Sequence, residues 1–246
     1  MLDSLLLLSG NDIPFAEVQL TIHNPTLKEI AYVGEENFLK GYQMLNTSKN
    51  FLPTEGKVNL EDISNFDIFI AILKERNAVM QKNRSCVFMV LALLFPSYAI
   101  SILDEGIVLK KEGEVSKIPK ENFEQFQTII KQMFSFGLGE DEQDFNPDGE
   151  LAKKIAEKLR KRQQQLAEKE GDNLKIDIYS RYASILSIGL GISLKDVLEY
   201  TPYQLFDQVN RYRIKDEADI YLKAKLAGAQ DLKDPEDWMK DVHSKS

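Results

Sequence analysis

The C-terminal third of the chain reads IDIYSRYASILSIGLG over residues 176–191 and YTPYQLFD over residues 200–207. Apolar side chains recur in the first string at helical spacing, and its closing glycines tolerate the left-handed conformation of a helix stop. In the second string Thr201 is a cap, a proline follows in the first turn, and Gln204 stands three positions after the cap. These signals predict an all-helical C-terminal module.

Two further helices complete this module. Ser193 supplies the cap of a short helix that ends near Tyr200. The helix that Thr201 starts is expected to run, with a break near Lys215, to about Ala227.

A charged segment precedes the module. The acidic stretch 139–149 contains a proline and marks a domain boundary, and a long helix rich in Lys, Arg, Glu and Gln follows it. Its apolar stripe is sparse, with Leu151, Ile155 and Leu159 as its main members. A packed helix shows a wider stripe, so we expect this one to be half exposed or to bind a partner helix.

Sequence patterns in the first part of the N-terminal region predict a short strand and two short helices. Period-two alternation indicates a strand from about Ala16 to Ile22. Thr26 and Glu29 form a capping box for a helix that stops near Gly34, and a second short helix follows from about Glu35 to Leu45.

The chain then becomes strongly apolar. Phe66 begins a helical stripe, and the run 86–95 predicts a central, fully surrounded helix that Pro96 ends. Alternating residues over 98–118 predict two or three antiparallel strands, with turns at 104–106 and near 112–113. Pro119 then opens a helix with an apolar stripe from Phe123 to Phe134.

The predicted fold class is therefore α+β. The N-terminal domain, residues 1–138, is mostly helical with a short strand and a small antiparallel hairpin. Residues 139–172 form an acidic linker and charged helix, and residues 173–246 form the all-α module.

The composition of the chain argues against some classes of function and indicates a cellular compartment. The net charge is -8 with 28% charged residues, which argues against a protein that coats nucleic acid. The single cysteine, Cys86, cannot form an intrachain disulfide and fits a reducing compartment. The apolar runs 5–8 and 87–95 are too short to span a membrane, so we expect a soluble intracellular protein.

No motif predicts an active site. The chain has no Walker A loop, dinucleotide fingerprint or zinc-ligand spacing. His23 is expected to stabilise a turn, Cys86 to lie in the core, and the acidic stretch 141–150 to be a solvated linker and not a calcium loop. We therefore predict that the protein is not an enzyme and has no catalytic, cofactor-binding or metal-binding residue.

Partner-binding residues are predicted instead. Tyr and Arg dominate binding hot spots, and the helix after Thr201 carries such side chains. The candidates on that helix and on the linker stripe are Tyr203, Phe206, Arg211, Tyr212, Arg213, Leu151, Ile155 and Leu159. The basic helix 153–162 leaves a nucleic-acid contact open as an alternative, although acidic residues dilute it.

The order of parts resembles the tail assembly chaperones of long-tailed bacteriophages. The resemblance is carried by residues 12–15, 22–30 and 34–36 at the N-terminus and by residues 201–205 and 223–229 in the helical extension. It implies a non-enzymatic chaperone, a homo-oligomer in the host cytoplasm that is absent from the finished virion. Its implied partners are the tape measure protein and the tail tube protein, with no membrane partner and no cofactor.

Two other interpretations of the function stay open. The chain could be a structural or adaptor protein that is retained in a phage particle. It could also be a nucleic-acid-associated regulator that acts through the basic helix 153–162, which would make its binding strongly salt-dependent.

Overall fold

The structure is a computed structural model, and it describes residues 2–48, 63–75, 78–134 and 178–229. Two small antiparallel sheets and a majority of helix confirm the predicted α+β class, and the C-terminal region is helical. The predicted linker, residues 139–172, lies outside the described residues.

The elements follow one another along the chain, with two single 3-10 turns at Ala16–Val18 and Lys120–Asn122. They are α1 Ser4–Ser9, β1 Ile13–Phe15, β2 Leu20–Ile22, α2 Leu27–Val33, α3 Glu35–Leu45, α4 Asn65–Lys74, α5 Ala78–Leu94, β3 Ala99–Leu103, β4 Gly106–Lys111, β5 Glu114–Pro119, α6 Phe123–Met133, α7 Ile178–Leu190, α8 Leu194–Leu198 and α9 Pro202–Leu226.

The first sheet is a hairpin where the sequence predicted one strand. β1 and β2 pair with Ile13 opposite Ile22, and the 3-10 turn Ala16–Val18 connects them. The predicted strand over residues 16–22 was therefore wrong in its first half. Ile13 and Ile22 are both fully buried. The alternation of buried and exposed residues is therefore also present in β1, which the turn places antiparallel to β2.

Local capping fixes the helix starts as predicted. The Thr26 hydroxyl accepts from the Glu29 N–H while the Glu29 carboxylate accepts from the Thr26 N–H, and Gly34 ends α2. Ser64 and Asp67 form the same reciprocal pair at the start of α4.

Helix α5 is not fully surrounded. Its buried face carries Val87, Val90, Leu91 and Leu94, which confirms a core helix. Phe88 and Met89 are 37% and 41% exposed, so the prediction of burial on all sides was wrong for this face. A continuous apolar run does not distinguish one buried face from two.

The second sheet has the order β3-β4-β5. Its first turn is at Asp104 and Glu105, and its second is at Glu112 and Gly113, as predicted. The central strand β4 is buried over its first four residues, whereas β3 has no buried residue.

One hydrophobic core contains residues from both the N-terminal region and the helical module. The ring of Phe38 lies 5.1 Å from that of Phe134 and 6.1 Å from that of Tyr179, measured between centroids. The predicted domain boundaries stay a prediction, but the described parts on either side of the linker pack together.

Candidate partner-binding surface

The helical module is held at the start of α7 by a carboxylate from the N-terminal region. Glu35 accepts hydrogen bonds from the Tyr179 N–H at 2.6 Å and from the Ser180 hydroxyl at 3.1 Å. A negative charge at a helix N-terminus satisfies free N–H groups and interacts favourably with the helix dipole. A backbone bond of 2.8 Å from the Leu27 N–H to the Tyr200 carbonyl adds a second tie.

The start of α9 has the capping box that the sequence predicted. Thr201 accepts from the Gln204 N–H, and Gln204 Oε1 accepts from the Thr201 N–H at 2.8 Å. Gln204 Nε2 also donates to the Leu8 carbonyl at 2.8 Å, so one side chain caps α9 and binds the last turn of α1. The orientation of α9 on the N-terminal region is therefore fixed at its first turn.

Two of the predicted partner-binding residues lie inside the core. Tyr203 is 3% exposed and Phe206 is 6% exposed. The Phe206 ring packs edge-on against Tyr182 with centroids 5.4 Å apart. Their side chains join α9 to its neighbours, and a partner would have to open the core to reach them.

Arg211 is engaged within its own helix. Its Nε lies 3.0 and 3.2 Å from the two carboxylate oxygens of Asp207, whose side chain is 1% exposed. A buried carboxylate is costly without such a partner. A binding partner would therefore meet a guanidinium whose charge is already compensated.

Tyr212 and Arg213 lie further along α9. Tyr212 is partly buried against Gly189, where an added Cβ would stand 2.5 Å from the ring Cζ, so the end of the Tyr212 ring packs directly on α7. Arg213 is exposed and forms an ion pair of 2.9 Å with Glu217. Arg213 is thus the most accessible of the five candidates on this helix.

The three remaining candidates, Leu151, Ile155 and Leu159, lie outside the described residues, as does the basic helix 153–162.

The second half of α9 extends past the core. Ile214 is its last buried residue, and Ile220 and Leu226 are 57% and 88% exposed. Lys215 and Asp219 form an ion pair of 2.8 Å. That hydrogen bond raises the pKa of Lys215 and lowers the pKa of Asp219.

The predicted break near Lys215 is wrong, because α9 is continuous from Pro202 to Leu226. The residues around this position are good helix formers that pair at i,i+4.

Four exposed apolar side chains that the sequence did not predict lie on the second half of α7 and at the start of α8. We call this set of residues the apolar corner, and it consists of Ile185, Ile188, Leu190 and Leu194, which are 43%, 84%, 43% and 45% exposed. The Ser187 hydroxyl donates to the Ile192 carbonyl at 2.7 Å and holds the turn between the two helices. A signal was present, because Ile185 and Ile188 are apolar residues off the buried face of α7.

Chemistry-bearing side chains have structural roles. His23 Nδ1 lies 2.8 Å from Asp12 Oδ1 and Nε2 lies 3.1 Å from Glu29 Oε1, which confirms its predicted role in the turn. Partial burial opposes ionisation of Glu29, but hydrogen bonds from Thr26 and His23 hold its pKa below the ordinary value. Cys86 is 2% exposed, as predicted for a core residue.

The described parts of the chain contain neither a candidate metal-binding cluster nor a candidate membrane-spanning helix. No cluster of three or more His, Cys, Asp or Glu side chains in residues 2–48, 63–75, 78–134 and 178–229 is placed to hold a metal ion. Over the same ranges, no helix combines the length and apolar character required to cross a membrane.

Comparison with protein families gives a match in the helical module. Residues 178–243 match a family model described as the YomV second domain, which is a phage-associated family. The match includes α7, α8, α9 and the apolar corner but covers a minority of the chain. No curated protein and no solved structure matched the chain.

Proposed function

We propose that this protein is a non-enzymatic phage tail assembly chaperone that binds the tape measure protein and recruits tail tube subunits. The observation that carries the proposal is the apolar corner, because it is exposed and lies within the segment that matches a phage-associated family. The family match supports a phage protein. The role in tail assembly goes beyond that match, and the experiment below tests it.

The apolar corner suits a helical client. Exposed apolar residues that stand alone are normal, but Ile185 and Ile188 share one face of α7, and Leu190 and Leu194 follow at its end and on α8. Neighbouring exposed apolar residues are typical of protein-binding sites. An amphipathic helix inserts its apolar side chains at i, i+3 and i+4 into such a surface. A tape measure protein is long and helical, and it requires cover for its apolar faces until the tail tube surrounds it.

The way the module is held supports the same role. Glu35 and Gln204 fix α7 and α9 on the N-terminal region, so the apolar corner has a set orientation. A preformed surface loses little conformational entropy when it binds. The net charge of -8 favours solubility of a complex in which the client exposes apolar surface.

The experiment is a pull-down from phage-producing cells with tagged full-length protein, followed by mass spectrometry. Wild-type protein should retain a very long helical protein and the tail tube subunit. Ile188→Asp should reduce that recovery about tenfold, because it places a charge in the centre of the contact. Val115→Asp is the matched control, since Val115 is 66% exposed on β5, and it should retain both partners.

The competing functions predict different recoveries. A structural or adaptor protein would be a stoichiometric component of purified virions, where a chaperone would be absent. A nucleic-acid regulator would retain nucleic acid in a salt-dependent way and no tail protein. Equal recovery by wild type and Ile188→Asp would contradict the assignment of the apolar corner.

A further inference from the structure

The β3 strand is an edge of its sheet. Its strand partner in the described parts of the chain is β4, and no further backbone hydrogen bond of residues Ala99–Leu103 occurs there. Every second residue of such a strand turns its N–H and C=O away from the neighbouring strand. The opposite edge of the sheet, β5, contacts the 3-10 turn Ala16–Val18 and α6.

This edge lacks the features that usually prevent edge-to-edge pairing. Natural edge strands carry charges, prolines or bulges, or another element covers them. Residues Ala99–Leu103 read AISIL, contain neither charge nor proline, and pair with β4 in an unbroken register. None of the five is buried, and Leu103 is 47% exposed. The strand is therefore open to a further strand.

We infer that β3 is a pairing site for β3 of a second copy of this chain. The two strands would run antiparallel about a two-fold axis at Ser101, which joins two three-stranded sheets into one of six strands. A symmetric interface must be self-complementary. In this register Ile100 lies opposite the second copy's Ile102, Ala99 lies opposite Leu103, and Ser101 meets its own equivalent, so no like charges face each other.

Charges at the ends of the strand complement this register. Tyr98 of one copy would lie opposite Asp104 of the other. Lys111 Nζ stands 5.8 Å from the centroid of the Tyr98 ring within one copy. Asp104 already pairs with Lys74 Nζ at 2.5 Å within its own copy. Pairing would bring Lys111 of the other copy towards that carboxylate as a second cation. The two-fold axis repeats this contact at both ends of the strand, which an unrelated extended segment would not supply.

The small area of this contact makes the pairing weak. A stable interface buries about 800 Å² on each partner, and a five-residue edge supplies much less. We therefore expect a dimer that forms reversibly in the micromolar range and not a permanent one. This surface is remote in sequence from the apolar corner, so the inference does not depend on the proposed function.

The test is sedimentation equilibrium of the purified full-length chain from low to high micromolar concentration. Wild type should show a monomer–dimer equilibrium. Ser101→Lys places two ammonium groups opposite each other at the axis and should raise the dissociation constant about tenfold. Ser101→Glu should do the same. An equimolar mixture of the two variants should restore dimer, because opposite charges then face each other.

Val115→Lys is the matched control, because it adds the same charge to an exposed position of β5. It should leave the dissociation constant unchanged, and circular dichroism should show that all variants fold. Wild type that stays monomeric at every concentration overturns the inference. So does a dimer that Ser101→Lys leaves intact, or a mixture of Ser101→Lys and Ser101→Glu that stays monomeric. These experiments contain no client, so their failure is distinct from failure of the proposed function.

Discussion

The contact between α3 and α5 at Gly41 gives a sharp stability prediction. A Cβ added at Gly41 would stand 2.4 Å from the Cys86 carbonyl oxygen and 2.7 Å from Val90 Cγ2. Ordinary contacts at this position begin about 1 Å further out, at the normal van der Waals separation of non-bonded heavy atoms. Gly41→Ala must therefore push the two helices apart or tilt them.

The magnitude follows from what can move. The first obstructing atom is a backbone oxygen within α5, so no side-chain rotation relieves the overlap. Overpacking a closed core costs about 1–3 kcal/mol, and α3 and α5 also hold Phe38 and Val87, both fully buried. Alanine in a helix interior is better than glycine by about 1 kcal/mol. Because the obstacle is a backbone atom, we take the overpacking cost at the upper end of its range, about 3 kcal/mol, and subtracting the propensity gain leaves a net loss in the free energy of unfolding of about 2 kcal/mol.

Urea denaturation followed by circular dichroism measures this loss, and Gly189→Ala is the matched control. There the nearest atoms belong to the far end of the Tyr212 ring, which can rotate, so the loss should be below about 1 kcal/mol. In a Tyr212→Ala background, Gly189→Ala should cause no further loss relative to Tyr212→Ala alone. A Gly41→Ala protein as stable as wild type would refute the reasoning, because the helix-propensity gain would then be unopposed.

Three further predictions concern single residues. Phe206→Ala should lower the free energy of unfolding by about 3–4 kcal/mol in urea, whereas exposed Arg213→Ala should change it by less than about 0.5 kcal/mol. The hydrogen bond from Lys120 is the main cause of a lowered pKa at Asp67, so its carboxylate stabilises the fold above its ordinary pKa of 3.8. The stability gap between wild type and Asp67→Asn should therefore be full at neutral pH and shrink below pH 3.8 in thermal melts. Gln127→Leu should cost about 1–3 kcal/mol and speed hydrogen exchange at the end of α3, because two backbone carbonyls there lose a donor at 2.7 and 3.0 Å.

Elements that short-range chemistry determines could be predicted from the sequence. The capping boxes at Thr26 and Thr201 fix helix starts through atoms three residues apart, and both are present. The hairpin turns near Gly106 and Gly113 were predicted for the same reason, since positive φ at these glycines is a local requirement. The helix Glu35–Leu45 also has its predicted bounds.

Features that depend on contacts distant in sequence could not be predicted. Glu35 was assigned only to a helix start, but its carboxylate caps α7, 144 residues further along the chain. Leu190 lies on the same helical face as buried Leu186, yet it is exposed because the core does not extend to the end of α7. Periodicity shows which face of a helix is apolar and does not show where along the helix its cover ends.

The same limit applies to the candidate site. Tyr203 and Phe206 have the composition of a binding hot spot, but aromatic residues also dominate cores, and here burial assigns them to the core. Ile188 is a less distinctive residue type and is 84% exposed. Residue type therefore ranks candidates poorly unless burial is known.

The two proposed surfaces predict a coupling between client binding and pairing. The apolar corner lies on α7 and α8, whereas the pairing edge is β3, so the two proposals share no residue. Copies bound side by side on a long client would meet at an effective concentration in about the millimolar range. An edge that pairs in the micromolar range in free solution would be largely paired on the client, although its five residues give little affinity by themselves. Client binding would then drive pairing, and release of the client would return this protein to monomers without any further signal.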